Sequence, residues 1–72
     1  MEKLFKGERP LYRQLTDILR HRIHTGAADL PSERGLSVSF GVSRITVRKA
    51  LDGLDAEGLI IRRQGAGTVV KR

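Results

Sequence analysis

Apolar residues recur at helical spacing in three stretches of the chain, and the spacing then shortens to that of strands. Leu11, Leu15, Ile18, Leu19 and Ile23 form one stripe of a helix from Leu11 to Thr25, with Tyr12 at its margin. Pro10 suits the first helical turn, where a missing N–H is no loss, and Gly26 supplies a left-handed stop. On the solvent side Asp17 can pair with Arg13, Arg20 and His21. Leu36 and Phe40 lie one turn apart in a second, shorter helix capped by Ser32, with Ser37 as the small residue beside them. Gly35 stands where a capping box would place Glu or Gln, so this helix is expected to fray at its start.

Gly41 offers the positive φ of a sharp inter-helix turn, and Ser43 caps a third helix that Gly58 closes. Val42 and Val47 occupy the two ends of a hydrophobic staple. Val47, Ala50, Leu51 and Leu54 make its buried face; Ile45, Arg48, Lys49 and Asp52 lie opposite, with Arg44 at the border. Beyond it, Leu59–Arg63 and Thr68–Lys71 are rich in β-branched residues and flank the tip Gln64-Gly65-Ala66-Gly67. Three helices followed by a hairpin define a mainly α winged helix-turn-helix domain over residues 10–72. Residues 1–9 have no period and read as a flexible basic arm.

Charge changes this picture at the third helix. Arg44, Arg48 and Lys49 occupy its first two turns, while Asp52, Asp55 and Glu57 follow toward its other end. The helix dipole favours the reverse order by about 0.3–1 kcal/mol per well-placed charge. So consistent a departure points to a helix start that meets an anion. The net charge is +6, and residues 59–72 hold four Lys/Arg and no acid, an electrostatic footprint for nucleic acid.

Other chemistries fall away. With 72 residues the core is too small for a deep cofactor pocket, and no cofactor is expected. No apolar run approaches the ~20 residues of a membrane-spanning helix, and residues 1–10 lack the core of a signal peptide, so a cytoplasmic location is expected. There is no cysteine, and His21 and His24 have no third ligand at suitable spacing, so no metal is expected. Gly65-Ala66-Gly67-Thr68 lacks the Lys-Ser/Thr and following helix of a nucleotide-binding P-loop. No nucleophile, base and orienting group stand at plausible spacing, which argues against an enzyme.

PLYRQL, LPSER, FGVSRITVRKAL, LDAEGLI and RRQGAGT, in that order, resemble the N-terminal DNA-binding domain of GntR-type bacterial transcription regulators. The PLY opening and the RRQG run are nearest to its HutC-like branch. The resemblance covers Pro10 to Val70 and implies roles for matching residues. Arg34 would reach DNA from the second helix; Ser43, Arg44, Thr46 and Arg48 would contact phosphates and bases in the major groove; Gln64 and Gly65 would approach the minor groove. It further implies homodimers on palindromic operators, much of the dimer contact coming from a C-terminal effector-binding domain that this sequence does not include. Alone, the 72-residue chain is expected to be monomeric or weakly dimeric. Family members carry a short third wing strand before the second helix, yet only Ala27-Ala28-Asp29 separates Gly26 from Leu30 here, so the wing is read as two-stranded with a third strand open.

The residues themselves support much of this. Arginine is the commonest bidentate reader of guanine, each good pair worth roughly 1–3 kcal/mol of discrimination. Ile45, apolar on a polar face, could meet a thymine methyl. Lys49 fits a phosphate contact or a solvated position, and Arg48 could instead pair with Asp52. The expected function is sequence-specific duplex DNA binding, with residues 43–57 in the major groove and residues 59–71 at the minor groove. The rival is a winged-helix protein-interaction module.

Overall fold

The apolar stripes become three helices, α1 (Leu11–His24), α2 (Glu33–Phe40) and α3 (Arg44–Ala56), with strands β1 (Asp29–Leu30), β2 (Ile60–Arg63) and β3 (Gly67–Val70). The computed structural model describes residues 10–63 and 67–71, of Arg63 the backbone alone. The basic arm read over residues 1–9 lies outside the described residues, as do Gln64 and Gly65.

The core is built from the stripes as read. Leu15 and Leu19 of α1, Leu36 of α2, and Val47, Ala50, Leu51 and Leu54 of α3 are buried together with Leu30, Ile60 and Val70 of the sheet. Ile23, Phe40, Val42 and Leu59 close over this cluster from its edge. Ile18 stays half-buried, whereas Thr16, which the apolar pattern passes over, is buried at 8% exposure. Its hydroxyl donates to the Tyr12 carbonyl at 2.7 Å, so a polar group enters the α1–α3 contact already satisfied.

Caps set the helix boundaries. Ser32 Oγ accepts from the Gly35 N–H at 3.1 Å and Ser43 Oγ accepts from the Thr46 N–H at 3.1 Å. The start of α2 is therefore capped by Ser32 as read, through the half of the capping box that does not need Glu at position 35. A Cβ on Gly35 would stand 3.2 Å from Pro31 Cβ, so the missing side chain also gives Pro31 room against the first turn. Gly41 takes φ +66, letting the Val42 N–H reach back to the Ser37 carbonyl and turning the chain into α3 within three residues.

The sheet is three-stranded and antiparallel, in the order β1-β3-β2. The connector is long enough for the third strand. Gly26 reverses the chain directly after α1, the Ala27 N–H closes on the Arg22 carbonyl at 3.0 Å, and Asp29 and Leu30 pair with Val69 and Thr68. The Val70 N–H adds a bond to the Ala28 carbonyl at 3.1 Å. On the other edge Ile60 pairs with Val70 and Arg63 with Gly67. Two paired residues cover β3 on its open side and bury Leu30, which a lone hairpin could not do.

Candidate nucleic-acid interface

The apolar face of α3 is spent on the core, so the opposite face points away from the domain. Arg44, Ile45 and Arg48 are exposed along it, Ile45 at 67%. No acid stands in the first turn of α3 and no base in its last, so cations gather at the positive end of the helix dipole. Arg44 has no hydrogen-bond or ion-pair partner among the described residues, and neither has Arg34, which is exposed in the first turn of α2.

Arg48 is held by a different residue from the one its spacing offers. Its Nε donates to Glu33 Oε1 at 3.1 Å, across from α3 to the first turn of α2, and not to Asp52. Asp52 instead receives Nη1 of Arg62 from β2, and Arg62 Nη2 lies 3.5 Å from Glu33 Oε2. Glu33, Arg48, Asp52 and Arg62 thus join both helices of the turn to the base of the wing. Only the Nε of Arg48 is engaged, so its two Nη groups have no partner among the described residues. Glu33 at the positive end of α2 fits the α2 dipole as well as fixing Arg48.

The other expected residues divide. Ser43 is occupied by capping: its hydroxyl donates to Thr46 Oγ1 at 3.1 Å while accepting from the Thr46 N–H. Thr46 is half-buried behind it. Lys49 is exposed but turns away from Arg48 toward α1, its Nζ 5.5 Å from the centre of the Tyr12 ring. The structure therefore brings Arg44, Ile45 and Arg48 onto one surface bordered by Arg34, and places Lys49 on the adjoining flank.

Tyr12, Glu33 and Arg62 were not among the residues that sequence reasoning selected. Glu33 and Arg62 act through partners 10 and more positions away in other elements, a separation at which no local periodicity signals a contact. Tyr12 stood out only as a polar-tipped aromatic at the margin of the first stripe.

The model of the family described as "Bacterial regulatory proteins, gntR family" matches residues 11–70. The chain belongs to that family. Among relatives of this gntR-family chain, the uncharacterized HTH-type transcriptional regulator YurK of Bacillus subtilis is 48% identical over 66 residues, covering 86% of this chain and 27% of its own length. The mannosyl-D-glycerate transport/metabolism system repressor MngR of Escherichia coli is 45% identical over 69 residues, covering 90% and 29%. The chain thus spans less than a third of the length of these relatives. Among solved structures, AraR(DBD) in complex with operator ORE1 superposes with a TM-score of 0.89 at 37% identity, covering 99% of each chain.

The remaining features concern stability and packing. Arg20 makes a bidentate pair with Glu57, Nε to Oε1 at 2.9 Å, and also holds Asp17 at 2.8 Å. Of the three cations offered to Asp17 by spacing, Arg20 takes it; Arg13 turns to Tyr12 and His21 pairs with no described carboxylate. The Arg20 guanidinium bonded to Glu57 holds that carboxyl below the usual glutamate range, and the two carboxylates raise Arg20 further above its ordinary value. Among the described residues no group of three or more His, Cys, Asp or Glu gathers, and no helix is long and apolar enough to cross a membrane.

Proposed function

We propose that this chain is the operator-reading domain of a gntR-family transcription regulator, binding duplex DNA sequence-specifically with the start of α3 in the major groove. The observation that carries the reading is the exposed Arg44–Ile45–Arg48 surface at the positive end of α3, with Arg48 steadied by Glu33 and its Nη groups open. Arginine held in this way can meet the O6/N7 edge of guanine, and Ile45 can lie against a thymine methyl. Arg34 and Ser43 border that surface as backbone contacts, with Lys49 on its flank; Thr46 contributes through its cap with Ser43. Gln64 and Gly65 join as the wing tip at the minor groove, on the strength of the RRQG resemblance alone.

The superposition on a DNA-binding domain seated on its operator supports the docking mode. The same reading makes the protein a non-enzymatic cytoplasmic regulator of the HutC-like branch, the branch resting on the PLY and RRQG motifs. Its full-length form would read a palindromic operator as a homodimer and sense a small-molecule effector through a further domain.

The test is duplex selection from a random pool, followed by binding of the Arg44→Ala/Arg48→Ala double variant. One recovered consensus half-site, lost to the double variant while its circular dichroism is unchanged, is the expected result. Undiminished duplex binding by the folded double variant would overturn this placement and favour another DNA-binding surface.

A further inference from the structure

A groove of about 200 Å³ runs between α1 and α3, with Tyr12, Arg13 and Lys49 at one end and Asp17, Arg20 and Glu57 at the other. The two ends differ in how their charges are met. At the far end Arg20 engages both Asp17 and Glu57. At the near end two cations share one ring: Arg13 lies 5.9 Å and Lys49 Nζ 5.5 Å from the centre of Tyr12. Neither has a carboxylate partner among the described residues. Arg13 Nε donates to the Tyr12 hydroxyl oxygen at 3.3 Å, which leaves the phenolic O–H as a donor. An ammonium, a guanidinium and a phenol thus meet with no anion among the described residues to receive them.

Their position says which anion fits. Lys49 follows Arg48 directly and is turned about 100° around α3, toward α1. A helix with its side chains is about 10–12 Å across and the major groove about 12 Å wide, so the flank of a seated helix faces a phosphate strand rather than base edges. We propose that Tyr12, Arg13 and Lys49 together hold one DNA backbone phosphate beside the major groove, the aromatic ring positioning the two cations and the hydroxyl adding a hydrogen bond. This site rests on α3 being the major-groove helix. It sets register and orientation on the duplex and carries no sequence information.

The experiment is a salt titration of duplex affinity for the 72-residue chain, on the selected sequence and on a scrambled duplex, with Lys49→Gln, Tyr12→Phe and the Arg44→Ala/Arg48→Ala variant. Lys49→Gln is expected to weaken both duplexes by a similar factor and to reduce the slope of log K against log salt by about 0.9. Tyr12→Phe, which keeps the ring and loses only the hydroxyl, is expected to cost several-fold at every salt concentration with the slope retained. An unchanged slope in Lys49→Gln, or a loss confined to the selected duplex, overturns the phosphate site. If Arg44→Ala/Arg48→Ala loses binding in the same series, that failure belongs to this site alone; if it keeps its affinity too, the major-groove reading fails with it.

Discussion

On the side of α3 that meets α2 and β2, Arg48 and Asp52 are tied to Glu33 and Arg62 by guanidinium–carboxylate pairs. On the side that meets α1, Lys49, Gly53 and Glu57 stand opposite Tyr12, Thr16 and Arg20, each pair 37 positions apart in sequence. These three rungs, one helical turn from the next, change from a cation over a ring to a glycine facing a threonine to a salt bridge. One helix is thus fixed from two directions by different means. The network flank orients a guanidinium through long-range pairs, as the proposed base readout would require. The α1 flank places the cations that have no carboxylate partner among the described residues at the end nearest the exposed arginines, and its described carboxylates at the opposite end.

Both flanks depend on the buried face beneath them. Leu51→Ala, at a position 1% exposed, is expected to cost about 2–5 kcal/mol and to loosen both sides together, read as a lower denaturant midpoint. Undiminished duplex binding at temperatures where the variant remains folded would show that the two flanks are not coupled through this face.

The middle rung can be changed alone. Gly53 is helical, and an added Cβ would meet Thr16 Cγ2 at 3.7 Å, ordinary contact distance. Gly53→Ala is therefore expected to stabilise the domain by up to about 1 kcal/mol, seen as a raised midpoint, with DNA affinity intact. A lowered midpoint would mean that α1 and α3 approach too closely there for even a methyl group.

Glu33→Gln probes the other flank. Exposed ion pairs contribute little, so stability should move by no more than about 1 kcal/mol. The larger consequence is expected in the ratio of selected to scrambled duplex affinity, which should fall as Arg48 loses its fixed orientation. An unchanged ratio would show that Arg48 reads DNA without help from α2.

The smallest effect is that of pH. Glu57 titrates below the ordinary value near 4.5 because Arg20 is bonded to it. Its contribution is complete above that value and is lost as the pH falls through the lower folded-state value. Denaturant midpoints of the parent should accordingly decline on acidification through that window more than those of Glu57→Gln, while a coincident decline would leave the rung without effect on stability.

The local pattern of the sequence carried the helices, their caps, the buried face of α3 and the exposed Arg44–Ile45–Arg48 surface, because each depends on residues within about two turns of one another. Val42, Ser43 and Val47 were legible for the same reason: cap and staple chemistry is set by spacing along the chain. The family was legible as well, through motifs that recur in order from Pro10 to Val70. What only the tertiary structure decided lies between distant segments. Asp29–Leu30 became a strand because β3 was there to pair with it, although two residues carry almost no strand signal of their own. Arg48 chose Glu33 over its helical neighbour Asp52, and Asp52 was taken by Arg62. Lys49 left the Arg44–Ile45–Arg48 surface for Tyr12. In each case a partner brought close by folding outcompeted the neighbour offered by the chain, and no periodicity within one element records that choice.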